Sequence, residues 1–365
     1  MKWNMLFASI VCPIMGFCLS VDERVSQLEK KMSSVYTKNE MDGSGAKNGN
    51  ALPENEVTNW HFQAGFSYLL PSVQGSDYCT KNNIALSSLS SSNSKLTHEI
   101  INADFEWNWG FMVGAGYKVP EYNYDIEINY NRFLNRSSNK VATGPNGVLG
   151  QVRAFANLAD VSSFTECTSA TSDYSIDFDM LDLTMTTAFF TNRVFVLEFL
   201  AGLRSHWINL NQRINYSGGT FLGVNSWRID DKSNYWGIGP VAGFNSKWNF
   251  GKGFGLYSNL NFGYLYGRFN VSKNQTNTRD NFTQNDTGDK HSGILELNSV
   301  LGLRYDSYFM NHDHHVSVSL GYDFGYYWSV NQMIVNRDDL AFMGPAYVNG
   351  NMDVHGLVGE LRFDF

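Results

Sequence analysis

Apolar residues recur at every second position along much of this chain. One run covers 13 residues, and its apolar members occupy alternate positions: Phe105, Trp107, Trp109, Phe111, Val113, Ala115 and Tyr117. A period of two is typical of a β-strand, because successive side chains of a strand point to opposite faces. Strands of globular proteins usually have about 5–6 residues, whereas a tilted strand that crosses a bilayer needs about 9–11. The run therefore predicts a membrane-crossing strand.

Ten segments show this alternation. They are Trp60–Leu70, Phe105–Tyr117, Tyr122–Tyr130, Tyr174–Phe190, Phe195–Trp207, Trp236–Trp248, Phe254–Tyr266, Leu295–Tyr305, Val316–Trp328 and His355–Phe365. In the fourth segment the phase slips near Met180–Leu181, which predicts a β-bulge. Connections are short after the even-numbered segments and long after the odd-numbered ones. Short turns at one end and long loops at the other are typical of an outer-membrane β-barrel.

The sequence thus predicts an all-β fold, a transmembrane antiparallel up-and-down β-barrel of about ten strands, with twelve or more left open. We expect it in the lipid of the bacterial outer membrane, with both termini periplasmic and the long loops extracellular. Charged residues are only 17% and aromatic residues 15% of the chain, which argues against intrinsic disorder. The balance of 27 Lys+Arg against 35 Asp+Glu argues against a nucleic-acid partner.

The N-terminal region has a different pattern. Residues 1–20 predict a secretory signal peptide, residues 21–37 a short coiled-coil helix, residues 38–58 a flexible linker, and residues 59–365 the barrel. The helix carries a heptad of Val21, Val25, Leu28, Met32 and Val35. This heptad predicts a homo-oligomer, for example a trimer, although a lone amphipathic helix that packs on the body fits it too.

The strand phase also predicts which charged side chains face the lumen. These pore-lining candidates are Glu106, Lys118, Asp125, Glu127, Glu198, Arg204, His206, Lys247, Glu296, Arg304, Asp323, Glu360, Arg362 and Asp364. One interpretation is a polar, mildly acidic channel, and therefore a porin for passive diffusion of small hydrophilic solutes. The other is a lumen plugged by paired acids and bases, in a non-channel structural or adhesin barrel that acts through its extracellular loops.

No enzyme is expected. The chain has no recognisable Ser-His-Asp or Cys-His arrangement, and an outer-membrane protease would have only the loop residues His98 and Asp173 to use. We expect no cofactor and no metal. His312, Asp313, His314 and His315 predict a solvated turn, because metal binding needs side chains that converge on one point.

Two further features concern assembly. The last strand ends on Leu361, Phe363 and Phe365, and a terminal Phe is the assembly signal of outer-membrane proteins, so we expect the barrel assembly machinery as a partner. Cys79 and Cys167 fall in the first two long loops, on the oxidising side, where a disulfide between them is one prediction.

Several stretches carry a resemblance to a known family. The most specific are Gly237–Gly243 (GIGPVAG) and Ala201–Ile208 (AGLRSHWI), with further similarity in Trp107–Tyr117, Gly251–Phe269 and Leu361–Phe365. The chain resembles the major outer membrane proteins of legionellae and of chlamydia-related bacteria. The resemblance implies an outer-membrane barrel with porin activity, and it transfers no catalytic residue. It also suggests pairing of the cysteines between chains as the rival to an internal disulfide.

Overall fold

The computed structural model describes residues 60–82, 98–119, 124–143, 148–153, 166–192, 194–222, 225–279, 281–309, 314–339 and 342–365. The predicted signal peptide, the heptad of Val21, Val25, Leu28, Met32 and Val35, and the linker lie outside the described residues, as do His312 and Asp313.

Ten long strands close into a barrel in which every neighbouring pair is antiparallel. Their bounds are β1 (Trp60–Val73), β4 (Asn108–Val119), β5 (Tyr124–Ala142), β8 (Ser169–Thr191), β9 (Phe195–Ser217), β10 (Ser226–Gly251), β11 (Phe254–Asn277), β12 (Phe282–Phe309), β13 (His314–Asn331) and β16 (Gly350–Asp364). Around the barrel the order is β1-β16-β13-β12-β11-β10-β9-β8-β5-β4, and β1 closes it by pairing with both β16 and β4. The prediction of a ten-stranded antiparallel barrel is confirmed.

The two ends of the barrel differ. At one end, called the proximal end here, the Phe365 backbone N–H donates to the Trp60 carbonyl oxygen at 3.0 Å, and β10 and β11 are joined by a tight turn at Lys252 and Gly253. The opposite, distal end carries the shorter elements. These are β2 (Asp77–Asn82), β3 (His98–Asn102), β6 (Val148–Gln151), β7 (Glu166–Cys167), the helical turn α1 (Gly219–Leu222), β14 (Ile334–Asp339) and β15 (Phe342–Tyr347). Across the described part of the chain, no helix has the length and apolarity needed to cross a membrane.

An exposed apolar band surrounds the proximal half of the barrel. On β12 it runs from Tyr305 to Leu295, eleven residues whose ten steps span about 34 Å of strand, or about 26 Å of height at a tilt of about 40°. This matches the apolar band of about 25 Å on transmembrane barrels. Aromatic rings gather at both edges of the band. Proximal pairs include Trp60 with Tyr117 and Phe195 with Trp248, and distal rings include Tyr68 with Trp109.

The strands continue well beyond this band, and here two predictions are wrong. The connections after the fifth and seventh segments are not long loops. β9 continues to Ser217 and β10 already begins at Ser226. In the same way β11 continues to Asn277 and β12 begins at Phe282. Thirteen residues of β12, from Phe282 to Ile294, lie beyond the band, which is about 34 Å of additional height at the same tilt.

The physical reason is a reversal of the hydrophobic phase. Within the band the apolar residues point outward, as Trp207 does, but beyond it the inward positions are apolar and the outward ones polar. On β9 the buried residues become Ile208, Leu210, Ile214 and Tyr216. The same reversal explains the slip near Met180–Leu181. The β8 register is continuous there, and the irregularity of that strand lies between Ala188 and Phe190 instead.

The distal elements fill the top of the barrel. The strands β3, β2, β6 and β7 form a four-stranded antiparallel sheet, and β14 pairs with β15 as a hairpin. Tyr78, Leu149 and both cysteines of the sheet pack on inward-facing wall residues. The wall residues of this cluster are Ala170, Ile214, Tyr216, Trp227 and Ile229. The sheet, called the distal cap here, therefore lies against the inner face of β8, β9 and β10.

Candidate functional site in the barrel lumen

The proximal half of the lumen is a polar chamber of about 560 Å³. Eleven of the fourteen charged candidates line it: Lys118, Asp125, Glu127, Glu198, Arg204, Lys247, Arg304, Asp323, Glu360, Arg362 and Asp364. His206 and Glu296 face inward but are buried behind Arg204. Glu106 is exposed and precedes β4, so its placement on the lumen wall was wrong: the strand begins at Asn108, three residues later than the alternation predicted.

Arg204 is the centre of a buried ion-pair network at the inner end of this chamber. Its Nε and Nη2 donate to the two carboxylate oxygens of Asp182 at 2.6 and 2.7 Å, and its Nη1 donates to Glu296 at 2.7 Å and Asn298 at 2.8 Å. The other oxygen of Glu296 is 2.6 Å from His206 Nε2. One guanidinium thus connects β8, β9 and β12, and charge-assisted bidentate bonds of this kind are stronger than hydrogen bonds between neutral groups.

Glycines make room for such contacts between strands that are not neighbours. Glu296 of β12 extends across Gly263 of β11, and a Cβ atom at Gly263 would collide with the Glu296 carboxylate. The same holds on the other side of the barrel, where Gln63 of β1 donates to Asn129 of β5 across Gly114 of β4. A side chain can cross the intervening strand only where that strand presents no side chain of its own.

A second ion-pair network lines the proximal mouth. Arg362 donates to Asp125 at 3.1 Å, Glu127 at 2.9 Å and Asp364 at 2.9 Å. Asp364 is in turn 2.5 Å from His315 Nδ1. The Nε2 of the same histidine is 3.0 Å from Asp306, which accepts from Arg304 at 2.7 Å. The chain of alternating charges links β5, β16, β13 and β12 around the mouth.

Beyond the Arg204 network the lumen is closed by a hydrophobic layer. Its buried members come from nine of the ten barrel strands, from Ala103 in the link between β3 and β4, and from Met333 and Ile334 where β14 begins. They are Leu69, Val73, Ala103, Phe133, Tyr174, Ile176, Phe178, Ile208, Leu210, Tyr235, Leu265, Phe269, Val271, Ile294, Tyr327, Val330, Met333, Ile334, Met352 and Val354. Eight side chains of the layer, including Phe269 and Leu265, are completely buried. The polar chamber therefore ends blindly in the described structure.

A buried polar cluster lies on the distal side of this layer and joins the cap to the wall. The Lys273 ammonium donates to the Arg153 carbonyl oxygen at 2.8 Å and lies 3.7 Å from Asp231, while Arg153 Nε donates to the Asp77 carbonyl oxygen at 3.0 Å. Burial raises the pKa of the Asp231 carboxyl and lowers that of the Lys273 amine, because both charged forms lose water. Gln212 adds a bond to the Ser76 carbonyl oxygen at 2.9 Å.

The two cysteines are free and buried in the distal cap, so the prediction of a disulfide between them is wrong for this structure. Cys79 of β2 pairs with Gln151 of β6, and Cys167 of β7 pairs with Leu149 on the other side of β6. Strands two apart are separated by about 9.6 Å, more than the roughly 7 Å that a disulfide can bridge between Cα atoms. Burial raises the pKa of each thiol to about 12.

Four charged or titratable lumen residues were missed by the sequence reasoning. His61 could have been predicted to face the lumen, because it occupies one of the positions between the outward-facing apolar residues of the first segment. Asp182 was hidden by the supposed bulge beside it. Asp306 and His315 were placed in a turn, but they belong to β12 and β13, and the prediction of a solvated turn is wrong for His315.

A sequence model of the family described as Legionella pneumophila major outer membrane protein precursor matches residues 51–365, which include every described strand. The chain belongs to this family. The resemblance seen in the sequence is thereby confirmed, and the closed barrel is an outer-membrane barrel. No curated protein matches the chain.

Solved structures with a similar fold include three bacterial outer-membrane barrels. The Escherichia coli outer membrane protease OmpT is 10% identical, with 84% of this chain and 97% of that chain covered and a TM-score of 0.38. The Pseudomonas putida toluene transporter TodX is 9% identical, with 86% and 92% covered and a TM-score of 0.30. A Pseudomonas aeruginosa FadL homologue is 7% identical, with 87% and 95% covered and a TM-score of 0.25.

Proposed function

We propose that the protein is a non-enzymatic outer-membrane barrel that displays its distal end at the cell surface and does not conduct in the described conformation. The observation that carries this proposal is the hydrophobic layer. Its wall residues, such as Ile208, Leu265 and Phe269, cannot leave the lumen without unfolding the strands that bear them. A hydrated ion would have to give up its water to cross a dry layer of this kind.

Bilayer conductance tests the proposal directly. The full chain, refolded and reconstituted in a planar lipid bilayer, is expected to give no conductance steps, while a porin reconstituted in the same way gives them. Swelling of liposomes in small sugars provides the matching solute assay. Regular conductance steps from the unmodified protein would refute the proposal.

A porin for small hydrophilic solutes is the second candidate, and the polar chamber favours it. Charged side chains of both signs line about 560 Å³ of lumen that begins at the proximal mouth. Three members of the hydrophobic layer, Val330, Met333 and Ile334, lie where β13 passes into β14 rather than in the middle of a wall strand. A conducting state would require this segment to move and the remaining wall residues to separate.

The orientation in the membrane is part of the same proposal. We place the termini and the short turns in the periplasm and the distal cap outside, which follows the usual arrangement of bacterial barrels. Lys232 and Lys252 stand near the two ends of β10 and are both exposed. In intact cells a membrane-impermeant maleimide should label Lys232→Cys but not Lys252→Cys, and permeabilisation should expose both. Labelling of Lys252→Cys alone in intact cells would reverse the orientation.

The proposed partners are a second copy of the chain, bound through the heptad of Val21 to Val35, and the barrel assembly machinery, bound through the last strand. Cross-linking of the full chain in the membrane should give one discrete oligomer, and Leu28→Asp should abolish it without changing the barrel. An oligomer that persists in this variant would place the contact elsewhere.

A further inference from the structure

His61 lies at the proximal mouth and directs one nitrogen at two carboxylates. Its Nε2 is 3.1 Å from Glu127 Oε1 and 3.6 Å from Asp125 Oδ1. All three donor atoms lie within 4.8 Å of one another. Asp125 Oδ1 is buried and has no hydrogen-bond donor among the described residues, so it is an acceptor without a partner at the point where the three side chains converge.

The register of the sheet explains why these residues meet. His61 of β1 pairs with Gly116 of β4, and Gly116 pairs with Glu127 of β5. A Cβ atom at Gly116 would collide with the His61 ring, so the glycine lets the imidazole lie across β4 and reach β5. Asp125 is two residues before Glu127 and faces the same side of its strand. The arrangement is therefore built into the wall and does not depend on a loop.

Other side chains hold the two carboxylates in place. Arg362 donates to Asp125 Oδ2 and to Glu127 Oε1, and Asn129 Nδ2 donates to Glu127 Oε2 at 3.4 Å. Outer partners of this kind orient ligands at metal sites. The single guanidinium is shared by three carboxylates, because Arg362 also binds Asp364, so negative charge is in excess at the mouth.

The geometry points to a divalent metal site: we propose that His61, Asp125 and Glu127 bind a transition-metal ion, with Zn²⁺ the best match. Donor separations of 3.1 and 3.6 Å subtend angles of about 95° and 118° at an ion that lies about 2.1 Å from each donor. These angles bracket the tetrahedral value. One imidazole and two carboxylates form a donor set that zinc uses in proteins, and water would complete the shell.

His315 provides a matched control within the same mouth. It too contacts two carboxylates, but through different ring nitrogens: Nδ1 is 2.5 Å from Asp364 and Nε2 is 3.0 Å from Asp306. The two carboxylates lie on opposite sides of the ring, so they cannot share an ion with one nitrogen. Both histidines are buried and contact two carboxylates, and of the two only His61 has the geometry of a chelate.

The test is Zn²⁺ titration by calorimetry on the refolded full chain without a histidine tag, after treatment with a chelator. We expect one site per chain in the unmodified protein. His61→Asn should weaken it by more than about 100-fold, beyond the 10–100-fold that outer partners contribute. Asp125→Asn should weaken it as well, and His315→Asn should leave it within about twofold. Heat-dependent gel mobility verifies that each variant is folded.

Cobalt absorption gives a second readout on the unmodified protein, because Co²⁺ in a low-coordinate site with nitrogen and oxygen ligands produces visible bands that Zn²⁺ then removes. The proposal is refuted if no saturable site is found, or if His61→Asn binds as tightly as the unmodified chain. It is also refuted if His61→Asn and His315→Asn lower the affinity equally, since that result would indicate general electrostatic attraction to the mouth.

Discussion

Removal of the Arg204 charge should be among the most destabilising single changes in the lumen. Arg204→Met keeps most of the side-chain volume but leaves the Asp182 and Glu296 carboxylates without their shared cation. Glu296 retains its contact with His206 at 2.6 Å, whereas the buried Asp182 carboxylate loses both of its bonds to Arg204. Breaking a buried ion pair on one side typically costs about 3–5 kcal/mol.

The loss of unfolding free energy has an upper limit, because the Asp182 carboxyl group of the variant can take up a proton instead of remaining charged. Protonating an Asp with a reference pKa of about 3.9 costs about 4 kcal/mol at pH 7 and about 1.5 kcal/mol at pH 5. The free energy of unfolding should therefore fall by about 3–4 kcal/mol in Arg204→Met at pH 7. The difference from the unmodified protein should shrink by more than half at pH 5.

The assay is equilibrium unfolding by urea of the protein in lipid vesicles, followed by tryptophan fluorescence at both pH values. Arg213→Met is the matched control, because Arg213 binds Asp230 at a similar 2.7 Å but is half exposed on the outer wall. Surface pairs contribute about 0–1 kcal/mol, so this control should change little. The reasoning fails if the two variants lose similar stability, or if the loss in Arg204→Met is the same at both pH values.

Three other predictions follow from the described contacts. Gly116→Ala should lower the free energy of unfolding by about 1–3 kcal/mol, because the added methyl group collides with the His61 ring. The control Ala115→Val, on the lipid-facing side of the same strand, should change it by no more than about 0.5 kcal/mol, and urea unfolding measures both. Cys79 and Cys167, with thiol pKa values of about 12, should resist maleimide at pH 8 and react once urea unfolds the chain, and mass spectrometry that finds rapid labelling of the folded protein would contradict this burial. Deletion of Phe365 removes its backbone bond to the first strand and its ring contact with Phe62, so the fraction of folded, heat-modifiable barrel on gels should fall, and an unchanged yield would argue against a role in assembly.

The strand count and the strand faces within the apolar band were predictable, because lipid outside and a polar lumen inside force one residue in two to be apolar. The distal parts of the strands were not predicted from the sequence, because there the environment reverses: water lies outside the barrel and the hydrophobic layer lies inside it. Met180 and Leu181 show the difficulty, since a change of environment and a bulge produce the same slip in the pattern. A strand signal that continues with opposite phase, as from Trp207 to Ile208, is the pattern that would have revealed the extension.

The lumen was predictable in its charges but not in its contacts. Phase alone placed Asp125, Glu127 and Arg362 on the inner face, and the chamber contains them. It could not show that His61 reaches Glu127, because the two lie on strands that are not neighbours. Such pairings depend on barrel closure and on the stagger between strands, which are properties of the whole wall and not of any one segment.

The side-chain contacts that cross an intervening strand at a glycine also have an evolutionary consequence. Because Gly116 lies between His61 and Glu127, no one of these three positions is free to change size alone. Across homologues we expect the three positions to vary together. Where the middle position carries a side chain, the two flanking residues should no longer be a pair that makes contact across it. The residues at positions 61 and 127, two strands apart, should then vary together with the residue at position 116 between them. A comparison restricted to pairs of adjacent strands would not detect this correlation.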